Sequence, residues 1–173
     1  MTFLNQYSNK IVKYDLINKF QYNNILDIPK LKYILLNFHL KKGDTKLLIP
    51  LISSLKLIVL QDSKIITSKV SNIVFKIRKG HPVGCKLTLR NVKLTKFLFK
   101  LLNKILPKSK FNCINKCNNM FSFTLDNSLI FNELEKNYQF FKSLPKLNIS
   151  VKFDECSIPE FFYLIKSYKL LIN

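Results

Sequence analysis

The run Val74-Phe75-Lys76-Ile77-Arg78-Lys79-Gly80-His81-Pro82-Val83-Gly84-Cys85-Lys86-Leu87-Thr88-Leu89-Arg90 holds two of the chain's three glycines and both of its arginines. Every other strongly basic residue is a lysine. Arg and Lys differ most where a phosphate or a flat base must be gripped by a planar fork, so the placement of the arginines here points to a geometric demand. Gly80-His81-Pro82-Val83-Gly84 reads as a turn. Pro82 fixes its own φ and drives His81 extended, and glycines supply backbone angles that other residues avoid. Phe75 to Arg78 enters that turn. Cys85 to Arg90 leaves it in strict alternation, with Cys85, Leu87 and Leu89 on one face and Lys86, Thr88 and Arg90 on the other. The stretch is a basic loop followed by a strand that is apolar beneath and cationic above. Taken alone, an ordinary hairpin with a solvated face is the plainer reading.

Composition shifts that balance. The 173 residues suit a single domain with a real core, and 47% of them are hydrophobic, which excludes a disordered basic tail. The formal net charge is +19. A folded chain with that excess repels itself unless a polyanion is present. Nucleic acid is the first candidate and an anionic membrane surface the second. The lysines are spread along the whole chain, as suits a protein embedded in RNA. Four cysteines without regular spacing, and no evident secretory leader, are expected of a reducing compartment. The Asn, Lys, Ile, Leu and Phe bias matches AT-rich codons, as in many organellar genomes.

Outward from the central run, the N-terminal segment 2–20 is expected to be an amphipathic helix with Leu4, Tyr7, Ile11, Tyr14 and Ile17 as its apolar stripe. It belongs to the domain rather than to a targeting peptide, because it lacks Arg and runs straight into structure. Lys30 to Leu40 alternates as a strand, with Asn37 and His39 on one face. Lys41 to Asp44 reads as a basic turn, Asp44 being a plausible helix cap. Lys46 to Leu60 is a buried helix, too short and too interrupted to span a bilayer. Ser63 to Val70 is a second strand. Asn91 is placed to cap a helix whose apolar stripe is Leu94, Phe97, Leu98, Leu101, Leu102 and Ile105. Lys93, Lys96, Lys100 and Lys104 form its cationic face, and Pro107 ends it. Lys108 to Asn119 reads as a polar loop, Met120 to Leu125 as a strand, and Asp126 to Leu144 as a loop with a short helical piece. Lys146 to Phe153 alternates cleanly, with Asn148, Ser150 and Lys152 outward. Ser157 and Glu160 form a capping box opening a last helix, 158–170. The expected architecture is α+β: a mostly antiparallel sheet of about five strands, sheet and helices over 30–153, with helices packed on one face of a single domain 1–173.

Phe75 to Arg90 resembles the signature of the universal large-subunit ribosomal protein five family, which typically reads FKIRxGxPIGCKVTLR. About a dozen positions agree in register. Further similarity flanks it: Lys19 to Asn24 with Asp27 to Lys30, Ile34 to Asn37, Ser128 to Phe131, and Leu147 to Val151. The resemblance is strong from Lys19 to Pro107 and weaker beyond. It implies a protein of the central protuberance of the large ribosomal subunit, bound to large-subunit rRNA and, where present, 5S rRNA. Neighbouring central-protuberance proteins, peptidyl-site tRNA and a protein of the small-subunit head across an intersubunit bridge are the other implied partners. By the same likeness, Asn37, Lys69, Lys86, Thr88 and Arg90 face rRNA. Phe75, Lys76, Ile77, Arg78, Lys79, Gly80, His81, Pro82, Val83 and Gly84 form the tRNA-facing loop. The implied place is the mitochondrial matrix, within the mitochondrial ribosome; another AT-rich organelle or a bacterial cytoplasm is the alternative.

The chain departs from the family pattern in places. Phe38 and His39 follow Asn37 where a glycine is usual. The segment after Pro107 is short and lacks a Phe-Arg-Gly element, and Asn132 stands where proline is common. Enzymatic chemistry finds no footing. His39 and His81 have no evident nucleophile partner, and the Asp and Glu residues, 10 in all, are scattered. Cys113 and Cys117 are spaced CxxxC, with Cys85 and Cys156 far away in sequence, so a zinc site would need distant ligands. No metal and no cofactor is expected, and Cys85 reads as a small core residue. Two rival classes remain. A cationic membrane-surface protein would concentrate its charge on an amphipathic helix. A free-standing RNA-binding regulator with a sheet platform would carry exposed aromatics on a central strand.

Overall fold

The computed structural model describes residues 3–40, 45–108 and 119–170, and the backbone of 112–117. The turn Lys41 to Asp44, with its expected cap, falls outside the described residues, as do the side chains of Cys113 and Cys117. Strands β1 (Leu31–His39), β2 (Lys64–Thr67), β3 (Pro82–Leu89), β4 (Asn112–Cys117), β5 (Met120–Leu125) and β6 (Leu147–Phe153) form one sheet in the order β2-β3-β1-β6-β5-β4, each neighbour antiparallel. The α+β reading therefore holds, with one strand more than expected. The addition is β4, within the segment read as a polar loop. It is an edge strand held by its backbone ladder to β5, so its side chains need no apolar alternation.

Alternation in the strands becomes layering. Ile34, Leu36 and Phe38 of β1 stand beside Leu89, Leu87 and Cys85 of β3, and beside Val151, Ile149 and Leu147 of β6. All are buried, as are Phe121, Phe123 and Leu125 of β5. Helices α3 (Leu48–Val59), α4 (Asn91–Lys100) and α7 (Ile158–Ser167) bury Leu51, Leu55, Leu94, Phe97, Phe161 and Leu164 in the same cluster. Burying a large aliphatic or aromatic side chain contributes roughly 1.5–3 kcal/mol, so this face dominates the stability.

The N-terminal helix is built in three pieces: α1 (Phe3–Tyr7), a π-helical turn Ser8–Val12, and α2 (Lys13–Lys19). It packs into the domain as expected, with Leu4, Val12 and Leu16 buried and the Tyr7 hydroxyl donating to the Ser167 carbonyl at 3.1 Å. The expected stripe is wrong beyond Tyr7, for Ile11, Tyr14 and Ile17 are exposed. The Lys13 N–H donates to Ser8, five residues back. That wider turn shifts the inward position one residue on, to Val12. A second π-turn, Leu101–Ile105, continues α4. The stripe predicted there is buried except for Leu102, which is partly covered. Asn91 does not cap α4: it takes a left-handed φ of 52°, and no side-chain cap bond forms. Between Asp126 and Leu144 lie two short helices, α5 (Asn132–Glu135) and α6 (Tyr138–Phe141).

The capping box of α7 is present. Glu160 Oε2 accepts from both the Ser157 N–H and the Ser157 hydroxyl at 2.7 Å. The helix stops at Ser167, short of Leu170, because Lys169 turns left-handed (φ 51°). Lys169 and Leu170 N–H then donate to the Lys166 and Ile165 carbonyls, a Schellman ending.

The turn assigned to Gly80 through Gly84 is shorter than expected. It spans Arg78 to His81, closed by the His81 N–H on the Arg78 carbonyl at 3.1 Å. Gly80 supplies the positive φ of 85°. Pro82, Val83 and Gly84 are already in β3. Gly84 is required for space instead: a Cβ there would lie 2.1 Å from the Phe38 carbonyl oxygen.

Gly84→Ala is expected to lower unfolding stability by about 1–3 kcal/mol, the usual range for overpacking, or more if the strands cannot separate; a urea midpoint equal to wild type would refute the close approach. Burial raises the Glu160 carboxyl, but the Tyr22 hydroxyl and Ser157 outweigh it and hold the group below its ordinary range. Its stabilisation is therefore present above the ordinary glutamate pKa and lost as pH falls through the depressed one. Thermal midpoints measured down through the acid range should fall less steeply in Glu160→Gln than in wild type.

Candidate nucleic-acid interface

The helices cover one face of the sheet, and the outward side chains of the strands form the other. Antiparallel pairing sets them in rows across the strands. At one end, Arg90, just past β3, follows Leu89, which pairs with Ile34; Tyr33 therefore neighbours it, and the Arg90 guanidinium carbon lies 6.0 Å from the Tyr33 ring centre. Tyr33 in turn pairs with Lys152, and Lys152 with Met120. The middle row runs Thr88, Leu35, Ser150, Ser122, with the Ser122 hydroxyl donating to Ser150 Oγ at 3.0 Å. The third row runs Lys64, Lys86, Asn37, Asn148, Thr124. Asn37 Nδ2 donates to His39 Nε2 at 2.8 Å, and Asn37 Oδ1 is buried without a hydrogen-bond partner among the described residues.

Four of the five residues assigned to rRNA, namely Asn37, Lys86, Thr88 and Arg90, thus share this face. Lys69 does not. Beyond β2 the chain leaves the sheet: Ser68 N–H donates to the His81 carbonyl at 2.8 Å and Gly80 N–H returns to the Ser68 carbonyl at 2.9 Å. These bonds close the base of a projecting loop, 68–81. Within it Asn72 and Ile77 exchange hydrogen bonds of 2.8 and 3.0 Å, and Lys76 N–H donates to the Ile73 carbonyl at 3.0 Å. Lys76 adopts a φ of 53° to turn the corner. Ile73 and Val74 are 92% and 85% exposed at the tip, with Phe75 beside them at 54%. Lys69, Lys76, Arg78 and Lys79 line the loop's flanks, all four exposed.

Of the loop assigned from Phe75 to Gly84, then, only Phe75 to His81 project. Ile73 was missed because a β-branched residue before a basic run reads as strand entry. Tyr33 and Lys64 were missed because their rows exist only through pairing between distant segments. Tyr33 also means that the open face carries an aromatic, which the alternation of β3 alone does not show.

Carboxylates occupy other lysines. Lys32 pairs with Asp154 at 3.7 Å, and Lys56, Lys100 and Lys146 pair with Asp62, Glu133 and Asp126 at 2.8 Å. Lys64, Lys86 and Arg90, and the loop cations Lys69, Lys76, Arg78 and Lys79, have no carboxylate partner among the described residues. Uncompensated cations ranked on a rigid face are suited to phosphates. Cys85 is buried, and that burial pushes its thiol up to about 11, so it is no reactive thiolate. No group of three metal-ligating side chains gathers among the described residues.

A family model for the C-terminus of the ribosomal protein L5 family matches residues 82–169. The chain is 30% identical over its whole length to the large ribosomal subunit protein uL5m of Reclinomonas americana, covering 99% of that protein. It is 33% identical to uL5 of Geotalea uraniireducens over 87% of each chain. It is also 42% identical to uL5 of Clostridium tetani over 54% of this chain and 53% of that one.

Proposed function

The chain belongs to the uL5 family of large-subunit ribosomal proteins, and from that premise we propose that its open sheet face seats on rRNA while the loop 68–81 reaches toward peptidyl-site tRNA. Its role is structural, in the large ribosomal subunit, and not enzymatic. The observation that carries the proposal is the contrast between the two faces. One is sealed by helices. The other presents Lys64, Lys86 and Arg90 with no acidic counterpart among the described residues. In this reading the cations position the domain on phosphates, and the shape of the folded RNA selects the site. The RNA is large-subunit rRNA, and 5S rRNA where the parent ribosome retains it.

The loop fits a different role. Its cations project beyond the sheet, and its apolar tip is unsuited to bulk water but suited to a nucleic-acid surface or the small-subunit head. The single domain 1–173 then sits in the central protuberance beside other proteins, with its sheet toward RNA and its loop toward tRNA. Similarity to a mitochondrial relative over the full length favours a mitochondrial ribosome, in the matrix.

Co-sedimentation with large subunits through a salt wash tests the placement. Arg90→Ala is expected to reduce occupancy of washed subunits several-fold, and removing this one phosphate partner should lower the salt slope of RNA binding by about 1; unchanged occupancy would remove Arg90 from the interface. Replacing Lys76, Arg78 and Lys79 together by Ala is expected to leave occupancy intact while speeding the release of peptidyl-site tRNA. Loss of assembly would instead make the loop an anchor.

A further inference from the structure

The first row of the open face differs in kind from the other two. Its centre is an aromatic ring, Tyr33, on the inner strand β1, partly exposed and neighboured across the strands by Arg90 on one side and Lys152 on the other. Leu35, two residues on and on the same face, extends the apolar floor beside the ring. The middle row has Leu35 there with hydroxyls on the flanking strands, and the third has amides and lysines; neither carries a ring. The Arg90 guanidinium lies over the ring, 6.0 Å from its centre, at the outer edge of cation–π range.

We propose that Tyr33 and Arg90 form a step on which an unpaired base of the bound RNA stacks. The inference rests on the open face being the RNA interface, and it adds how that face distinguishes one RNA from another. Cations alone hold any phosphate backbone. Paired A-form RNA offers its bases poorly to a protein surface, whereas a bulged or looped base can splay out and lie on an aromatic or guanidinium plane. A ring between two cations fits that partner: the ring takes the base, the guanidinium extends the stack, and the positive potential on both sides draws the adjoining phosphates. A ring needed only for the fold would be buried with Ile34 and Leu36, which lie on the opposite face.

The test uses the purified full chain and two hairpin RNAs, one with a single bulged adenosine and one fully paired but otherwise identical. Wild type is expected to bind the bulged hairpin about tenfold more tightly, within the range for one base stacked on an aromatic. Tyr33→Phe should keep that preference. Tyr33→Leu should abolish it while leaving the affinity for the paired hairpin, and its salt dependence, unchanged. The chain contains no tryptophan, so Tyr33→Trp gives a second readout: its fluorescence should be quenched by the bulged hairpin and not by the paired one. Equal binding of both hairpins by wild type, or a preference that survives in Tyr33→Leu, would overturn the stacking step while leaving the interface standing. Failure of wild type to bind either hairpin at low salt would overturn the interface and the step together.

Discussion

The approach of β3 to β1 at Gly84, where a side chain of any size would collide with the Phe38 carbonyl, sets the frame for the rest of the sheet. It places Cys85 against Phe38, Leu87 against Leu36 and Leu89 against Ile34. Those pairs, continued by β6 and β5, make a continuous apolar layer that the helices seal. Once that layer is buried, register is no longer free, because a slip by one residue would turn every core side chain to solvent. The outward rows are therefore as well specified as the core. Asn37 stands beside Lys86, and Tyr33 beside Arg90, because Leu36 and Ile34 must be inside.

Charge then acts on a prepared surface. An excess of +19 is a cost to an isolated domain, and the ion pairs that relieve it are mostly exposed and individually weak. The acids pair elsewhere and leave the open face and the projecting loop cationic. Those are also the two surfaces that the proposed seat in the large subunit needs: a rigid one to rest on RNA and a reaching one to touch what lies beyond. The loop can project because its hydrogen bonds are satisfied within itself, from Ser68 with His81 out to Asn72 with Ile77. The apolar tip lies exposed beyond those bonds.

The helical layer shows how far local pattern can mislead. A stripe read at ideal helical spacing put Ile11, Tyr14 and Ile17 in the core. A single π-turn moves the buried positions to Val12 and Leu16. No residue in Ser8 to Val12 announces that turn. The polar edge strand β4 is hidden for a related reason. It is held by main-chain bonds, and main-chain bonds leave no pattern in side chains.

Much of the molecule was nonetheless written in order along the chain. Alternation assigned Cys85, Leu87 and Leu89 to the core and Lys86, Thr88 and Arg90 to the outside. Ser157 and Glu160 marked the start of the last helix. Charge and the Phe75 to Arg90 motif pointed to a ribosomal protein. Those are local or summed properties, carried by neighbouring residues or by composition. Only the tertiary structure decided that Tyr33 meets Arg90 and Lys152, that Lys69 leaves the sheet to join the loop, and that Gly84 serves a close approach rather than a turn. Each of these depends on which strand lies beside which. That choice is made by burial of the opposite face across segments far apart in sequence, and no local spacing encodes it.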